Sequence, residues 1–181
     1  MKKITTITFL MLMTACHQVK DSPANVGAQN ACSYVKENLS PQQDIAKIEV
    51  VNEDSLLSDI GMTFADNQLI RLNTDFLEEK ISKADYLSNL DSISNDATDV
   101  SRSWTYGVVV NDSLRRLSKY EGMWRKVYTV QVSMQSGTSN EYRILMEQDG
   151  TTPRMSEHEF SKVVNEFSRK VLSAYRTARR Y

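Results

Sequence analysis

Residues 128–146 alternate apolar and polar side chains with the period of a strand. Tyr128, Val130, Val132 and Met134 are separated by Thr129, Gln131 and Ser133. After a turn-rich stretch at 135–140, Tyr142, Ile144 and Met146 alternate with Arg143 and Glu147. A period of two places the even-numbered side chains on one face and the polar ones on the other. Two such runs joined by a short loop containing Gly137 predict an antiparallel hairpin over 124–148, ended at 149–153 by Asp149-Gly150-Thr151-Thr152-Pro153. The period then changes. Phe160, Val163, Val164, Phe167, Val171, Ala174, Tyr175 and Ala178 recur every three or four residues, which is one stripe of a long helix over 157–178. Ser156 and Glu159 are spaced as a capping box at its start. The even face of the hairpin needs a cover, and this helix follows it directly, so the helix is expected to lie across that face.

The N-terminal half reads as mostly helical. Residues 28–39 have helical periodicity and stop before Ser40-Pro41. The β-branched run at 45–51 predicts a strand. Residues 54–72 follow no single period, and Gly61 interrupts them. Thr74 is a candidate N-cap, with Asp75, Glu78 and Glu79 in the first turn and Leu77, Ile81, Ala84, Leu87, Leu90 and Ile93 as the stripe. Residues 94–103 are polar and read as a connection. Residues 104–110 have strand propensity, while Asn111-Asp112-Ser113 can start a short helix carrying Leu114 and Leu117. Together these elements predict an α+β fold: an antiparallel sheet including the hairpin and one or two further strands, a long C-terminal helix covering it, and a helical N-terminal half.

The first residues follow a different logic. Lys2 and Lys3 precede an uncharged apolar run at 4–13, which is followed by Thr14, Ala15 and Cys16. A basic start, a short apolar run and small residues before a cleavage point read as a secretory signal. About 10 apolar residues are too few to span a bilayer, which takes ~20. The chain therefore divides into a signal peptide at 1–15, a polar tether at 16–27 containing Pro23 and Gly27, and a single domain at 28–181. A coil of that tether's length holds the domain roughly 20 Å from the bilayer surface.

The chain has 181 residues, 40% of them hydrophobic, enough for one core. Its 5 Phe, 8 Tyr and 2 Trp exclude a disordered class, and its 2 Cys exclude a disulfide scaffold. A net charge of −1 gives no general case for nucleic-acid binding. The charge is nevertheless uneven. Residues 16–101 carry 6 Lys+Arg against 15 Asp+Glu, and residues 154–181 carry 7 against 3. The two blocks can pack together and offset each other, or leave a basic patch for an anionic partner.

Candidate chemistry is sparse. His17 lies in the tether, and His158 lies in the first turn of the last helix, off its apolar stripe. Two His and two Cys supply no metal-ligand set, and no hydrolase, nucleotide or dinucleotide motif is present. Residues 147–151 lack the ligand spacing of a calcium loop. No catalytic, cofactor or metal residue is therefore assigned. Cys32, spaced with Ala28, Ala31, Val35 and Leu39 on a helical face, reads as a small buried hydrophobe, with no nearby cation to activate its thiol. Trp104, Tyr106, Tyr120 and Trp124 could line a groove, but core or rim packing accounts for them. The carboxylates offer many pairs for glycosidase-type chemistry and mark none.

Residues 1–16 resemble the lipobox region of bacterial lipoproteins, departing from it in having Met13 where Leu is commonest. The resemblance implies cleavage before Cys16, diacylation of its thiol and acylation of the new amine by a chain such as palmitate. The lipobox, the stretch Tyr34-Val35-Lys36-Glu37-Asn38-Leu39 and the stretch 142–153 together resemble small uncharacterised lipoproteins of Bacteroides-type bacteria. This implies an envelope location and no known activity. His17-Gln18-Val19-Lys20-Asp21 lacks the acidic run of surface-displayed relatives, which points to the periplasmic face. The sequence thus describes a membrane-anchored envelope protein that binds or scaffolds, with the membrane and an envelope protein or polymer as partners and no nucleic acid. The alternative is a hydrolase acting on an envelope polymer through carboxylates.

Overall fold

The structure is a computed structural model that describes residues 23–40 and 44–180. Elements in chain order are α1 (Pro23–Asn38), β1 (Ile45–Leu57), α2 (Asp59–Leu77), α3 (Lys83–Tyr106), α4 (Val108–Leu114), β2 (Trp124–Met134), β3 (Ser139–Met146), β4 (Pro153–Ser156) and α5 (Glu157–Ala178), with a 3-10 turn at Ser118–Tyr120. The strands form one antiparallel meander in the order β1-β2-β3-β4. The expected α+β class and hairpin are present, with Val130 opposite Tyr142 and Thr129 opposite Arg143.

Both faces of the sheet are covered, by different helices. The even face, with Tyr128, Val130, Val132, Ile144 and Met146, packs against Ala31 and Val35 of α1. The opposite face buries Val127 and Leu145 beneath the larger cluster shared by α2, α3 and α5. The C-terminal helix therefore covers the sheet, but not on the side expected from the hairpin. The reason lies in β4. This strand pairs Met155 with Leu145 and ends at Ser156, which caps α5. The chain thus enters α5 on the Leu145 side, where α2 and α3 can meet its stripe. The even face is left to α1.

A bulge lets β1 serve both faces. Ile48 and Val50 pair with Val132 and Val130 on the α1 side. A register shift between Val50 and Asn52 resets the phase, and Leu56 joins the helical cluster. An extra residue in one strand has this effect. It also hides the strand from periodicity, which is why the sequence reading stops at residue 51 and the strand runs to 57.

The boundaries differ from expectation where small residues carry the packing. The first helix begins at Pro23, so residues 23–27 belong to the domain and not to the tether; residues 16–22 lie outside the described ones. Proline suits the first helical turn. Gly27 is required by contact, because a Cβ there would lie 2.4 Å from the Gly150 carbonyl oxygen. Gly61 does not break a helix either: it sits in α2, where a Cβ would meet Val100 of α3 at 2.9 Å. Thr74 is not a cap. Its hydroxyl donates to the Ile70 carbonyl at 3.0 Å inside α2. The break comes at Glu79, whose φ of 58° is left-handed. Ser82 then caps α3, accepting from the Asp85 amide at 3.1 Å. The polar stretch 94–103 is helical because Ala97 and Val100 continue the buried stripe from Leu90 and Ile93 to Trp104. The strand expected at 104–110 is instead the end of α3 and the start of α4, separated by Gly107.

Charge is largely compensated between the acidic and basic blocks. Lys170 meets Asp66 at 2.7 Å, Arg154 meets Asp59 at 2.6 Å, and Lys126 meets Glu53 at 2.6 Å. Lys119 pairs with Asp96. Each pair joins the basic C-terminal half to the acidic N-terminal half, so most of the asymmetry is internal. Open pairs such as Lys126–Glu53 contribute about 0–1 kcal/mol each, whereas the Asp59 carboxylate is itself buried.

Candidate functional site

Two helices running side by side define the most built concave site. Both α2 and α5 bury one stripe in the core, α2 through Leu69 and Leu72 and α5 through Phe167, Val171 and Ala174. Between them lies a groove of about 480 Å³ lined by Asp66, Leu69, Ile70, Asn73, Phe76, Leu77 and Tyr86 on one side and Lys170, Ser173, Ala174 and Thr177 on the other. Its floor is rigid. Phe76 stacks on Tyr86 with ring centroids 4.3 Å apart, and the Tyr86 hydroxyl donates to Asn73 Oδ1 at 2.7 Å. The Asp66–Lys170 pair closes one end. Ile70 and Leu77 remain 56% and 62% exposed, although both belong to an ordered helix wall. A smaller cleft at the α2–α3 turn, lined by Phe76, Leu77, Glu79, Ile81 and Lys83, continues the groove past its far end.

Two other depressions are of comparable size. One lies between α3 and α5, about 370 Å³, with Ser94, Ala97, Thr98 and Ser101 facing Val164, Ser168 and Leu172. The other, about 490 Å³, lies where Leu39, β3 and the start of α5 meet; it holds Glu141, Tyr142, Arg143, Glu157 and His158. Arg143 occupies this second site with its charge already engaged, 3.5 Å from Glu157 and donating to the Trp104 carbonyl.

The carboxylates with clearly displaced ionisation are held down, the reverse of what a general acid requires. Glu159 is lowered chiefly because it accepts the Ser156 amide and hydroxyl at the α5 cap, with Tyr34 donating to it at 3.0 Å. Asp149 is lowered by hydrogen bonds from Thr152 and Thr151 that shape the β3–β4 turn. Both therefore serve local structure.

The residues singled out from sequence are scattered. Cys16 and His17 lie outside the described residues. Cys32 is half-buried between α1 and the sheet, where burial and then the nearby Glu49 push its thiol up, away from reactivity. His158 is exposed at the α5 start. The aromatic set does not converge: Trp104 and Tyr120 are core residues, Trp124 is half-buried with Arg115 over its ring at 4.9 Å, and Tyr106 is exposed. Among the described residues no group of three or more His, Cys, Asp or Glu is placed to hold a metal ion. The groove itself was missed, because sequence reading assigned Leu77 to a helix beginning at Thr74. The available signal was the width of the apolar face on 62–77, where Ile70 and Leu77 lie beside the Leu69–Leu72–Phe76 stripe.

Tyrosine ionisation offers a solution check on this packing. Tyr175 is pushed up to about 12, first by donating to Asp91 and then by burial. Tyr120 is pushed up further, by burial and by Asp99, to which it donates at 2.7 Å. A group whose folded pKa is raised contributes stability below its unfolded value, about 10 for tyrosine, and loses that contribution as pH rises through the folded value. Denaturation midpoints are therefore expected to fall between about pH 10 and pH 12, and Asp91→Asn should shrink this fall.

Comparison of the chain with models of protein families, with curated proteins and with solved structures finds no match.

Proposed function

We propose that this chain is a lipid-anchored protein of the cell envelope whose folded domain binds or scaffolds a partner. The observation that carries the binding reading is the open groove between α2 and α5, where Ile70 and Leu77 stand exposed beside the Asp66–Lys170 pair. The location rests on the lipobox-like residues 1–16 and on Cys16 as the acylated residue. The periplasmic face is the proposed side, since the residues after Cys16 carry no acidic run. Among the described residues no helix is long and apolar enough to cross a membrane.

Two or three acyl chains anchor strongly, because each buried CH₂ contributes about 0.8 kcal/mol. Cys16→Ser is therefore expected to move the protein from the membrane pellet to the soluble fraction, read by fractionation and by loss of acyl mass. Persistent membrane association would sink the lipoprotein reading. The competing hydrolase reading requires the purified chain to release soluble fragments from isolated envelope polymer. Release that disappears in Glu141→Gln or Glu157→Gln would replace the binding reading.

A further inference from the structure

We infer that the open edge of β1 pairs antiparallel with the same edge of a second copy of this chain, about a two-fold axis at Ile48, so that two sheets become one. The α2–α5 groove takes no part in this. β1 has 13 residues and pairs with β2 alone, so among the described residues its outer edge has no strand beside it. Residues 45–53 all keep some exposure, although Val130 and Val132 next to them are fully buried. Ile48 and Val50 face α1 and are only half-buried, and Val51 is 47% exposed. Beyond this stretch the strand is closed off: the Leu57 amide donates to Ser103 Oγ and the Leu57 carbonyl accepts from Trp104. Backbone N–H and C=O groups along an open edge are completed by another strand.

The side chains say which strand. Ala46-Lys47-Ile48-Glu49-Val50 reads apolar, cation, apolar, anion, apolar, and so is its own complement when reversed about Ile48. In an antiparallel pair, residues opposite each other share a face. Turning a second copy about Ile48 therefore sets Lys47 opposite the other copy's Glu49 and Glu49 opposite its Lys47. On the α1 face it sets Ile48 opposite Ile48 and Val50 opposite Ala46. Lys47 and Glu49 already meet on one face at 2.7 Å, with their side chains 63% and 40% exposed, so both can reach across the axis. Moving the axis to Lys47 or to Glu49 opposes like charges, which disfavours those registers. The register shifts at 45/47 and 50/52 bracket this stretch and end the pairing on either side. The sheet's other edge is β4, with 4 residues that lead straight into α5. The two-fold contact thus uses the one long edge and closes at two copies.

The test is sedimentation of the purified full chain over a dilution series, with charge-swapped variants beside it. The parent's mass should rise with concentration from 20.7 kDa toward twice that value. Lys47→Glu or Glu49→Lys alone turns both cross-axis contacts repulsive and should weaken association about tenfold or more. Both positions are exposed, so each variant should keep the parent's circular dichroism. An equimolar mixture of the two single variants should associate as the parent does, because their edges then carry opposite charge. The double variant Lys47→Glu, Glu49→Lys should also recover, since the exchange preserves the complementarity. Ile48→Cys places a thiol on the axis, where opposed Cα atoms lie about 4.5–5.5 Å apart, and should give a disulfide-linked dimer on mild oxidation. Adding Lys47→Glu should remove that dimer. A parent that stays monomeric throughout would overturn the inference. So would a dimer indifferent to both single variants, which places the contact on another surface, or single variants that lose association without recovering it in the mixture.

Discussion

Val130→Asp is expected to leave the domain unfolded, whereas Thr129→Asp, one residue away, should be nearly silent. Val130 is fully buried in β2 between the α1 residues Ala31 and Val35 and the strand residues around it. Its neighbours across the sheet are Val50 and Tyr142. The side chains packed around it in that cluster are apolar or aromatic. An unpaired buried charge costs several kcal/mol, against a total stability of about 5–15 kcal/mol for a domain. Thr129 points to the other face, is half-buried, and stands opposite Arg143 and Asn52, so a carboxylate there gains a cation across the strand. The check is far-ultraviolet circular dichroism and urea denaturation of residues 17–181 carrying each change. Similar midpoints for the two variants would contradict the assigned faces.

Trp104→Ala should cost about 3–5 kcal/mol from lost packing alone. This side chain ties three layers together. Its ring stacks on Phe160 at the start of α5, with centroids 4.3 Å apart. Its indole Nε1 donates to the Leu57 carbonyl at 2.8 Å at the end of β1. The Arg143 guanidinium of β3 lies 5.8 Å from the ring centroid and donates to the Trp104 carbonyl. Truncation leaves a cavity and also strands the buried Leu57 carbonyl, a further loss of about 1–3 kcal/mol. Trp104→Phe separates the two effects, since it keeps the stack and removes the donor. Urea midpoints should rank parent, then Phe, then Ala. A Phe variant as unstable as Ala would mean that the hydrogen bond, and not the stack, holds α3 to the sheet.

Legibility from sequence followed burial. Where an element buries one face only, its period shows directly; α5 is of this kind, down to the capping box in which Ser156 accepts from the Glu159 amide while the Glu159 side chain accepts from the Ser156 amide. The hairpin is covered on both faces, yet its period shows because Thr129, Gln131 and Ser133 leave the second face only half-buried over that stretch. Where packing uses small residues, the period fades. Ala97 and Gly61 are contact residues that look like gaps in an apolar stripe, and 94–103 and 54–72 were unreadable for that reason. The bulge in β1 has the same effect, since one extra residue reverses the alternation midway through the strand. The groove was illegible in a different way. Ile70 and Leu77 are ordinary apolar helix residues, and only the position of α5 decides whether they are covered or left open.

The sequence alone therefore determined what depends on neighbours within a few residues: the hairpin, the C-terminal helix and its cap, and the α+β class. Which helix covers which face was decided by tertiary structure. The even face of the hairpin offered no means of choosing between α1 and α5, since both carry an apolar stripe of adequate width. The choice fell to β4, a strand of 4 residues that carries the chain to the Leu145 side before α5 begins. Its pairing with β3 is short-lived along the chain but sets the side on which 22 helical residues must pack. A connection this short cannot cross back over the sheet edge, so topology, and not hydrophobicity, settled the layer order.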